Sequence, residues 1–459
     1  MSFAGRKALV LGLGDTGLSM AKWLTRRGAD VRVADTRESP PQLDALRRSL
    51  PRVSAACGPF REESFAGVDL LAISPGVPLA EPLVRRAIAA GARAVGDIEL
   101  FAGATKGAQI IAVTGTNGKS TVTSLAAAMA RAAGNDCETA GNIGPAVLDT
   151  LMRREDEGSA PDLWVLELSS FQLETTDSLS AAAATVLNIS EDHLDRHGGV
   201  DEYAAAKARI FAGGGLQVLN REDARSLSMA LPGRRTATFG LDAPGREEDW
   251  GLLERDGERW LAQGAEALLP LREMKLAGLH NAANALAALA LCRGLGLALA
   301  PLLDALRAFK GLPHRVEPVG EALDVRWYDD SKGTNVGSTV AALAGLAQGA
   351  AKVVLIAGGE GKGQNFSPLR DAIARSARAL ILIGRDAPLI EAAVVGAGVP
   401  IRHARSMEEA VALAGESARP GDAVLLSPAC ASFDMFRNYK HRGEVFRLAV
   451  ERRLGAAKH

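Results

Sequence analysis

The feature that most constrains the fold is a glycine-rich loop between a predicted strand and a predicted helix, residues 113–121 (VTGTNGKST). The apolar residues before it and the alanine-rich residues after it predict a strand–loop–helix unit, the arrangement of a phosphate-binding loop. In such a unit, several backbone N–H groups point at one spot near the positive end of the helix dipole. The strict pattern requires glycine at the position of Val113, but the upstream glycine is Gly115, so the loop is a variant. We expect this loop to bind a nucleoside triphosphate.

Polar side chains at and beyond this loop fit that ligand. Lys119 offers a positive charge to the outer phosphates, and the Ser120 hydroxyl can hold Mg²⁺. Glu167 ends another apolar predicted strand, where an NTPase places a partner for Mg²⁺; a solvated or helix-capping acid is the alternative. His193 and His197 fail the zinc-protease pattern because no glutamate follows His193. Mg²⁺ prefers oxygen ligands, so the residues alone leave a metal role for His193 open.

Short apolar strands alternate with helices throughout the chain, which predicts an α/β fold with parallel, doubly wound sheets. A length of 459 residues fits three domains of roughly 150 residues each. A second segment begins near Gly96. Its last helix starts near His280, and residues 311–313 (GLP) should end that helix and act as a hinge.

Composition excludes several classes of protein. The formal net charge is −1 with no long run of one sign, so nothing favours a nucleic acid or an anionic membrane as partner. No stretch approaches the roughly 18 apolar residues of a spanning helix, so we expect no membrane insertion. The first residues do not read as a signal peptide, and the four cysteines form no CxxC pair. We expect a cytoplasmic protein.

A second glycine motif lies near the N-terminus. Residues 12–17 (GLGDTG) have GxGxxG spacing, and Asp35 ends the next predicted strand, 23 residues after Gly12. This combination is typical of a site for a diphosphate-bearing ligand, although a structural glycine turn is the alternative. Residues 74–78 (SPGVP) could line the same crevice or form a rigid loop.

Polar loops follow three predicted strands of the last segment: residues 329–335, 358–363 and 427–432. Because ligands bind beyond the carboxyl ends of parallel strands, we expect these loops to converge on one crevice. Their lysines and hydroxyls favour an anion, a carboxylate or a phosphate, over solvated glycine-rich loops. Earlier, residues 280–284 (HNAAN) open a helix, where the amides could read adenine or simply cap the helix.

These stretches, in order along the chain, resemble the Mur ligase family. The resemblance rests on residues 115–121, 141–144, 167–173, 191–196, 280–284, 312–315, 330–335 and 427–434. Within the family, the chain resembles the branch that uses ATP to add D-glutamate to UDP-N-acetylmuramoyl-L-alanine, through an acyl phosphate. The Asp-Asn-Pro-Arg signature of the diaminopimelate- and lysine-adding branch is absent. The resemblance implies a Rossmann-like UDP-substrate domain (residues 1–96), a central P-loop ATPase domain with a mainly parallel sheet (97–311) and a Rossmann-like amino-acid domain (312–459).

The resemblance also implies roles for individual residues. The UDP-substrate is assigned to Thr16, Asp35, Thr36, Arg37, Ser74, Gly76, Asn142 and His193, with Asp35 and Thr36 reading uracil. ATP is assigned to Gly115, Thr116, Asn117, Gly118, Lys119, Ser120, Thr121, Asn284, Arg315 and Asp330. The catalytic residues are Lys119, Glu167, His193, Lys207 and Lys332. The metal ligands are Ser120, Glu167, His193 and Lys207 when carbamylated, for two Mg²⁺ ions, with Mn²⁺ as a substitute.

D-Glutamate is assigned to Thr334, Lys362, Ser432 and Tyr439, of which Tyr439 stands where the family usually has phenylalanine. Asp15 likewise stands where the family commonly has leucine. Without the resemblance, Lys207 reads as a surface lysine on a helix. We expect the protein to be a monomer.

Three other functions compete with this one. A nicotinamide-dependent oxidoreductase would use residues 12–17 and Asp35 but would leave the P-loop and Glu167 unused. A folylpolyglutamate synthase shares the ATPase core, but that class begins at the ATPase domain. A non-catalytic nucleotide sensor would not need polar loops in all three segments.

Overall fold

The computed structural model describes residues 3–193, 196–276, 278–347 and 351–456. Leu194 and Asp195, part of the 191–196 stretch, lie outside the described residues. The described residues form three separate β-sheets flanked by helices, and most neighbouring strands are parallel. The predicted α/β fold with three doubly wound segments is confirmed.

The first sheet has five parallel strands. They are β1 (Lys7–Leu11), β2 (Asp30–Asp35), β3 (Ser54–Cys57), β4 (Leu70–Ile73) and β5 (Arg93–Val95). The helices are α1 (Asp15–Arg26), α2 (Leu43–Ser49), α3 (Glu62–Phe65) and α4 (Pro82–Ala89), and α5 (Asp97–Ala104) follows the last strand. The strand order β3-β2-β1-β4-β5 reverses direction at β1, which opens a crevice beyond the ends of β1 and β4.

The second sheet has nine strands. They are β6 (Ile110–Thr114), β7 (Cys137–Gly141), β8 (Leu163–Glu167), β9 (Ala183–Val186), β10 (Leu216–Asn220), β11 (Thr236–Phe239), β12 (Trp250–Arg255), β13 (Glu258–Gln263) and β14 (Glu266–Pro270). Their order is β14-β13-β12-β11-β10-β9-β6-β8-β7, and only β12, β13 and β14 pair in antiparallel fashion. β6 and β8 are buried along their whole length, as expected for apolar strands covered on both faces.

The helices of this sheet cover both faces. They are α6 (Lys119–Ala132), α7 (Val147–Asp156), α8 (Ser170–Leu173), α9 (Val200–Ala208), α10 (Ala224–Ser228), α11 (Leu279–Gly294) and α12 (Leu299–Ala308), with 3₁₀ turns at Arg209–Phe211 and Leu271–Glu273. The prediction of one helix from about His280 to Gly311 was wrong. α11 ends at Gly294, and Gly296 (φ +82°) adopts the left-handed conformation that lets the chain turn into α12.

The third sheet has six strands. They are β15 (Glu317–Ala322), β16 (Val325–Asp329), β17 (Val353–Gly358), β18 (Ala377–Ile383), β19 (Ile401–His403) and β20 (Ala423–Leu426), in the order β15-β16-β20-β17-β18-β19. All pairs are parallel except β15 with β16. The helices are α13 (Val336–Leu346), α14 (Pro368–Ser376), α15 (Ala387–Ala393), α16 (Met407–Ser417) and α17 (Tyr439–Ala456). The adjacent strands β16, β20 and β17 place their carboxyl ends side by side.

The first two sheets share one apolar core. α5 joins them, and its Phe101 packs edge-on against Trp164 of β8 with ring centres 4.9 Å apart. Both side chains belong to a cluster that includes residues from Ala8 in β1 to Leu219 in β10. The third sheet has clusters of its own. The boundaries at 96/97 and 311/312 stay a prediction, and within the described part of the chain no helix is both long and apolar enough to cross a membrane.

Candidate functional site

The P-loop joins β6 to α6, as predicted. Gly118 has φ +85°, a backbone conformation that other residues rarely adopt. A Cβ on Gly118 would also lie 2.5 Å from Oδ1 of Asn284, so glycine lets α11 approach the loop closely. The structure therefore brings Asn284 against the P-loop, although the two are more than 160 residues apart.

Two buried lysines converge on a single carbonyl of this loop. Nζ of Lys119 and Nζ of Lys207 donate to the Gly115 oxygen at 2.9 and 3.0 Å. Lys119 also donates to the Thr116 oxygen (2.8 Å), and Lys207 to Oγ1 of Thr114 (3.2 Å). Burial lowers the pKa of both lysines, and the charge of Lys119 lowers the pKa of Lys207 further. Lys207 is therefore not the surface lysine that its helical context indicated, and its neutral amine is favoured.

Glu167 ends β8 beside this loop with one carboxylate oxygen unpaired. Oε1 accepts a hydrogen bond from Nδ2 of Asn142 (2.6 Å), whereas the buried Oε2 has no partner among the described residues. A buried, unpaired carboxylate oxygen is costly unless a cation binds it. Close to the loop, the Ser120 hydroxyl accepts a hydrogen bond from Arg315 at 2.7 Å. The oxygens of Glu167 and Ser120 are hard donors that fit Mg²⁺.

His193 lies beside this group but is more open. Its side chain is 43% exposed, and its backbone is in the left-handed region (φ +54°). The ring packs edge-on against Phe171 at 4.8 Å and lies 6.4 Å from the ring of Tyr203. His197 is instead buried and pairs with Ser170 (3.1 Å), which gives it a structural place.

Two asparagines to which the sequence analysis assigned no function hold the P-loop in shape. Asn188 accepts from the Asn117 N–H (2.8 Å) and donates to the Asn117 oxygen (3.1 Å). Asn335, from the third segment, donates to Oδ1 of Asn117 at 3.0 Å. Asn335 lies in the predicted polar loop 329–335, whereas Asn188 lies just after β9 and was not predicted.

A cavity of about 560 Å³ lies between the central and C-terminal segments. Its lining includes seven residues predicted for ATP or catalysis: Asn117, Gly118, Thr121, Asn284, Arg315, Asp330 and Lys332. Leu187, Leu241 and Leu279 add an apolar wall. A volume of this size and a lining of mixed polarity suit a nucleotide.

Burial perturbs two charged groups in this cavity. It raises the pKa of Asp330 to about 7, while Oγ of Ser427 donates to that carboxyl group at 2.7 Å. It lowers the pKa of Lys332 to about 8, and the nearby charge of Arg315 acts in the same direction. Nζ of Lys332 lies 4.0 Å from the ring centre of Tyr439. Both groups therefore titrate close to neutral pH, as is common at functional sites.

The three loops of the third segment converge, as predicted. Nε2 of Gln364 donates to the backbone oxygens of Thr334 (3.4 Å) and Ala429 (3.3 Å). The buried guanidinium of Arg442 donates to Ser331 Oγ (3.0 Å), the Ser331 oxygen (2.8 Å) and the Cys430 oxygen (3.1 Å). Arg442 was not predicted, and nothing in its helical context indicates this function.

The residues predicted for D-glutamate all lie on or next to these loops. Ser432 is buried, Thr334 and Tyr439 are half-buried, and Lys362 is exposed. Nζ of Lys362 lies 5.7 Å from the ring centre of Phe433, which is itself 65% exposed. Their contact with an amino acid stays a prediction.

The residues predicted for the UDP end lie at the carboxyl edge of the first sheet, apart from the P-loop. Asp35 is buried, and its carboxylate accepts from the Leu13 N–H (2.6 Å), the Arg37 N–H (2.8 Å) and the Arg37 guanidinium (2.6 and 2.8 Å). Burial would raise the Asp35 pKa, but these hydrogen bonds outweigh it and lower the pKa to about 2. Asp35 therefore orients Arg37, and the exposed Thr36 is the more open to a ligand.

The other residues of this edge surround the glycine motif. Ser74 is buried and donates to the Gly12 oxygen at 2.9 Å, whereas Thr16 is half-buried and Gly76 exposed. A Cβ on Gly17 would lie 1.8 Å from the Gly12 oxygen, so α1 packs directly on the loop. Arg196 links this edge to the central segment by donating to the Val77 oxygen (3.2 Å) and to Glu174 (2.7 Å).

Known proteins match the chain over nearly its whole length. Three family models match: the Mur ligase MurD-like N-terminal domain (residues 6–96), the Mur ligase middle domain (113–292) and the Mur ligase glutamate ligase domain (314–430). The chain is 58% identical to the UDP-N-acetylmuramoylalanine--D-glutamate ligase of Nitrosospira multiformis, covering 100% of this chain and 98% of that protein. It is 55% identical to the ligase of the same name from Nitrosomonas europaea, covering 98% of this chain and 97% of that protein.

Solved structures share the fold. A pseudomurein peptide ligase type C from Methanothermus fervidus aligns with a TM-score of 0.62 at 18% identity, covering 97% of this chain and 100% of that chain. The UDP-N-acetylmuramate-alanine ligase of Thermotoga maritima aligns with a TM-score of 0.60 at 21% identity, covering 98% and 99%. At these identities the similarity supports the three-domain architecture.

Proposed function

The chain belongs to the Mur ligase family, and on that premise we propose that it joins D-glutamate to UDP-N-acetylmuramoyl-L-alanine with cleavage of ATP, a step of peptidoglycan precursor synthesis. The observation that carries this proposal is the full-length similarity, at 58% identity, to a relative named for this reaction. A nicotinamide-dependent oxidoreductase would not need the cavity at the P-loop. A non-catalytic nucleotide sensor would not need the convergent loops of the third segment.

The chemistry needs an activated acid. A carboxylate is a poor electrophile toward an amine, because its anionic oxygen is not a leaving group. Transfer of the γ-phosphoryl group of ATP to the L-alanyl carboxylate gives an acyl phosphate, which the amine of D-glutamate attacks with release of phosphate. Lys119, Arg315 and Lys332 offset the negative charges that meet in the first step.

Mg²⁺ would neutralise phosphate charge when bound at this site. Ser120, Glu167 and a carbamylated Lys207 would supply its oxygen ligands, with His193 beside them; the unpaired Oε2 of Glu167 supports this assignment. Carbamylation needs a neutral amine, which the lowered pKa of Lys207 favours, and it converts a cation into an oxygen donor. We propose two Mg²⁺ ions, with Mn²⁺ as a substitute.

The three substrates would occupy three edges. UDP would lie at the carboxyl edge of the first sheet, against Thr16, Thr36, Arg37, Ser74 and Gly76, with Asn142 and His193 nearer the muramoyl-alanine end. D-Glutamate would lie against Thr334, Lys362, Ser432 and Tyr439. We propose a cytoplasmic monomer with domains at 1–96, 97–311 and 312–459; the four free cysteines suit a reducing compartment.

The test is ADP release by the purified protein with ATP and Mg²⁺. UDP-N-acetylmuramoyl-L-alanine and D-glutamate are added separately and together, and L-glutamate then replaces D-glutamate. The proposal predicts strong release only with both substrates and its loss with L-glutamate. ADP release with a different amino acid would mean that the protein is a Mur ligase with another amino-acid substrate. No release with any pair of substrates would overturn the proposal.

A further inference from the structure

A second cavity, of about 480 Å³, opens at the opposite edge of the central sheet from the P-loop. Its wall is formed by the first residues of β10, β11 and β12 and by the last turn of α11. Ligands of parallel sheets normally lie at the carboxyl edge, so this amino-edge cavity has no part in the site described above.

Four arginines line this cavity: Arg234, Arg235, Arg246 and Arg293. Arg246 pairs with Glu248 (3.0 Å) and with the buried Asp249 (2.9 Å), and Glu248 is the only acid in the lining. Four positive charges therefore face two negative ones. Guanidinium groups repel one another when they share a cavity, so an excess of this kind favours a bound anion.

Two of these arginines have hydrogen-bond donors to spare. Arg235 is exposed, and its guanidinium makes no ion pair or hydrogen bond within the described ranges. Arg293 donates from NH1 to the Leu297 oxygen (2.7 Å), but its Nε is buried without a partner there. Arg234 is fixed by the Gly215 (3.0 Å) and Phe211 (3.1 Å) oxygens, so part of the wall is preorganised.

We propose that this cavity binds a small polyanion that carries phosphate groups, at a site separate from the nucleotide cavity. Guanidinium groups match phosphate oxygens in a bidentate geometry, and the cavity volume is in the range of small-molecule sites. The apolar side chains in the lining offer little surface for a base or sugar to pack on, since Trp250 is 1% and Leu216 6% exposed. A compact ion therefore suits the cavity better than a nucleoside.

The test is isothermal titration calorimetry of the full-length protein with inorganic pyrophosphate. Divalent ions are left out, and ADP is present at a concentration that saturates the nucleotide cavity. We expect a binding event that persists in ADP and weakens as salt is added. Arg235→Gln should weaken it about tenfold, and Arg235→Glu should abolish it. Arg259→Gln, an exposed arginine on β13 outside the cavity, is the matched control and should bind as the native chain does.

Several outcomes would overturn the proposal. Loss of binding in ADP would assign pyrophosphate to the nucleotide cavity, and native affinity in Arg235→Glu would remove the arginine cavity as the site. Tighter binding of citrate than of pyrophosphate would overturn the assignment to phosphate. Because Arg235 is exposed and lies outside the proposed catalytic site, ligase activity and melting temperature serve as controls for folding.

Discussion

Lys207 is the residue whose surroundings depart most from expectation. Its side chain is almost completely buried, its amine lies 4.5 Å from the ring centre of Tyr203, and it shares the Gly115 oxygen with Lys119. A charged ammonium in that position loses hydration and is repelled by its neighbour. The site therefore favours the uncharged amine, which is the form that reacts with carbon dioxide.

We expect Lys207→Ala to lower kcat about 10–100-fold, because the carbamate proposed at Lys207 would be lost as an oxygen donor to the metal. Small carboxylates such as formate should restore part of the activity by occupying the vacated space. ADP release measures both effects, and ¹³C NMR under ¹³CO₂ should show a carbamate signal that the variant lacks. Lys106→Ala, at an exposed lysine, is the control. A Lys207→Ala variant with native activity would contradict this prediction.

Lys119→Ala should lower turnover about 100–1,000-fold, since one preorganised charge at the transferring phosphoryl group is removed. Binding of UDP-N-acetylmuramoyl-L-alanine, measured by calorimetry, should survive, because the crevice proposed for UDP lies at the edge of the first sheet, apart from the P-loop. If that binding is lost as well, the division of tasks between the two segments is wrong.

At the scale of elements, the start of α13 combines two tasks in Asn335. Oδ1 of Asn335 accepts from the Ser338 N–H (2.9 Å) and caps the helix, while Nδ2 reaches Asn117 on the P-loop (3.0 Å). The cap belongs to the C-terminal segment alone, whereas the Nδ2 contact joins it to the central one. Substitutions can therefore separate the two tasks.

Asn335→Asp keeps the capping oxygen, but it replaces the donor to Asn117 with a carboxylate oxygen that also faces Oδ2 of Asp192, 3.5 Å from the native amide. It should therefore keep the cap and raise KM for ATP about fivefold. Asn335→Ala loses both contacts and should also lower the free energy of unfolding by about 1 kcal/mol. Steady-state kinetics and denaturant unfolding measure the two quantities. Native KM values in both variants would mean that the contact with Asn117 does not support nucleotide binding.

At the scale of the whole molecule, the junction of the first two segments contains a buried acid. Burial raises the pKa of Asp97 to about 6, although Nε2 of Gln172 donates to it at 3.1 Å. The folded pKa lies above the usual value of 3.8, so the folded state binds the proton more tightly. Its contribution to stability is complete below about pH 4 and is lost as the pH rises through 6.

Asp97→Asn should remove this dependence. We expect the variant to match the native chain near pH 4 and to be more stable by about 2 kcal/mol at pH 7.5, because the amide carries no charge to bury. Scanning calorimetry across this pH range measures the difference, with Asp30→Asn on the exposed edge of β2 as the control. A variant less stable than the native chain at pH 7.5 would show that the charged form is well accommodated.

Local chemistry explains how much the sequence predicts. Apolar runs and glycine motifs predicted the strands and the P-loop, because each depends on nearby residues. The convergence of the third-segment loops was predicted from the general rule that parallel strands place their carboxyl ends at one edge of a sheet. Arg442 and Asn335 contact residues far away in the sequence, 111 positions away for Arg442, so no local pattern indicates these contacts, although Asn335 lies in the predicted loop 329–335. Burial, which shifts the pKa values of Lys207 and Asp97, likewise depends on packing against elements that are distant in the sequence. Site roles that follow from the resemblance alone, such as D-glutamate contact by Lys362, await the experiments above.

The hydrogen bonds from Arg315 to Ser120 and from Asn335 to Asn117 have a consequence for inhibition. The proposed nucleotide site is lined by residues of both the central and the C-terminal segment, so we expect it to be complete only while these two segments are in contact. We therefore expect that a compound bound between these two segments, where it breaks those hydrogen bonds, would inhibit the enzyme without resembling any of its substrates.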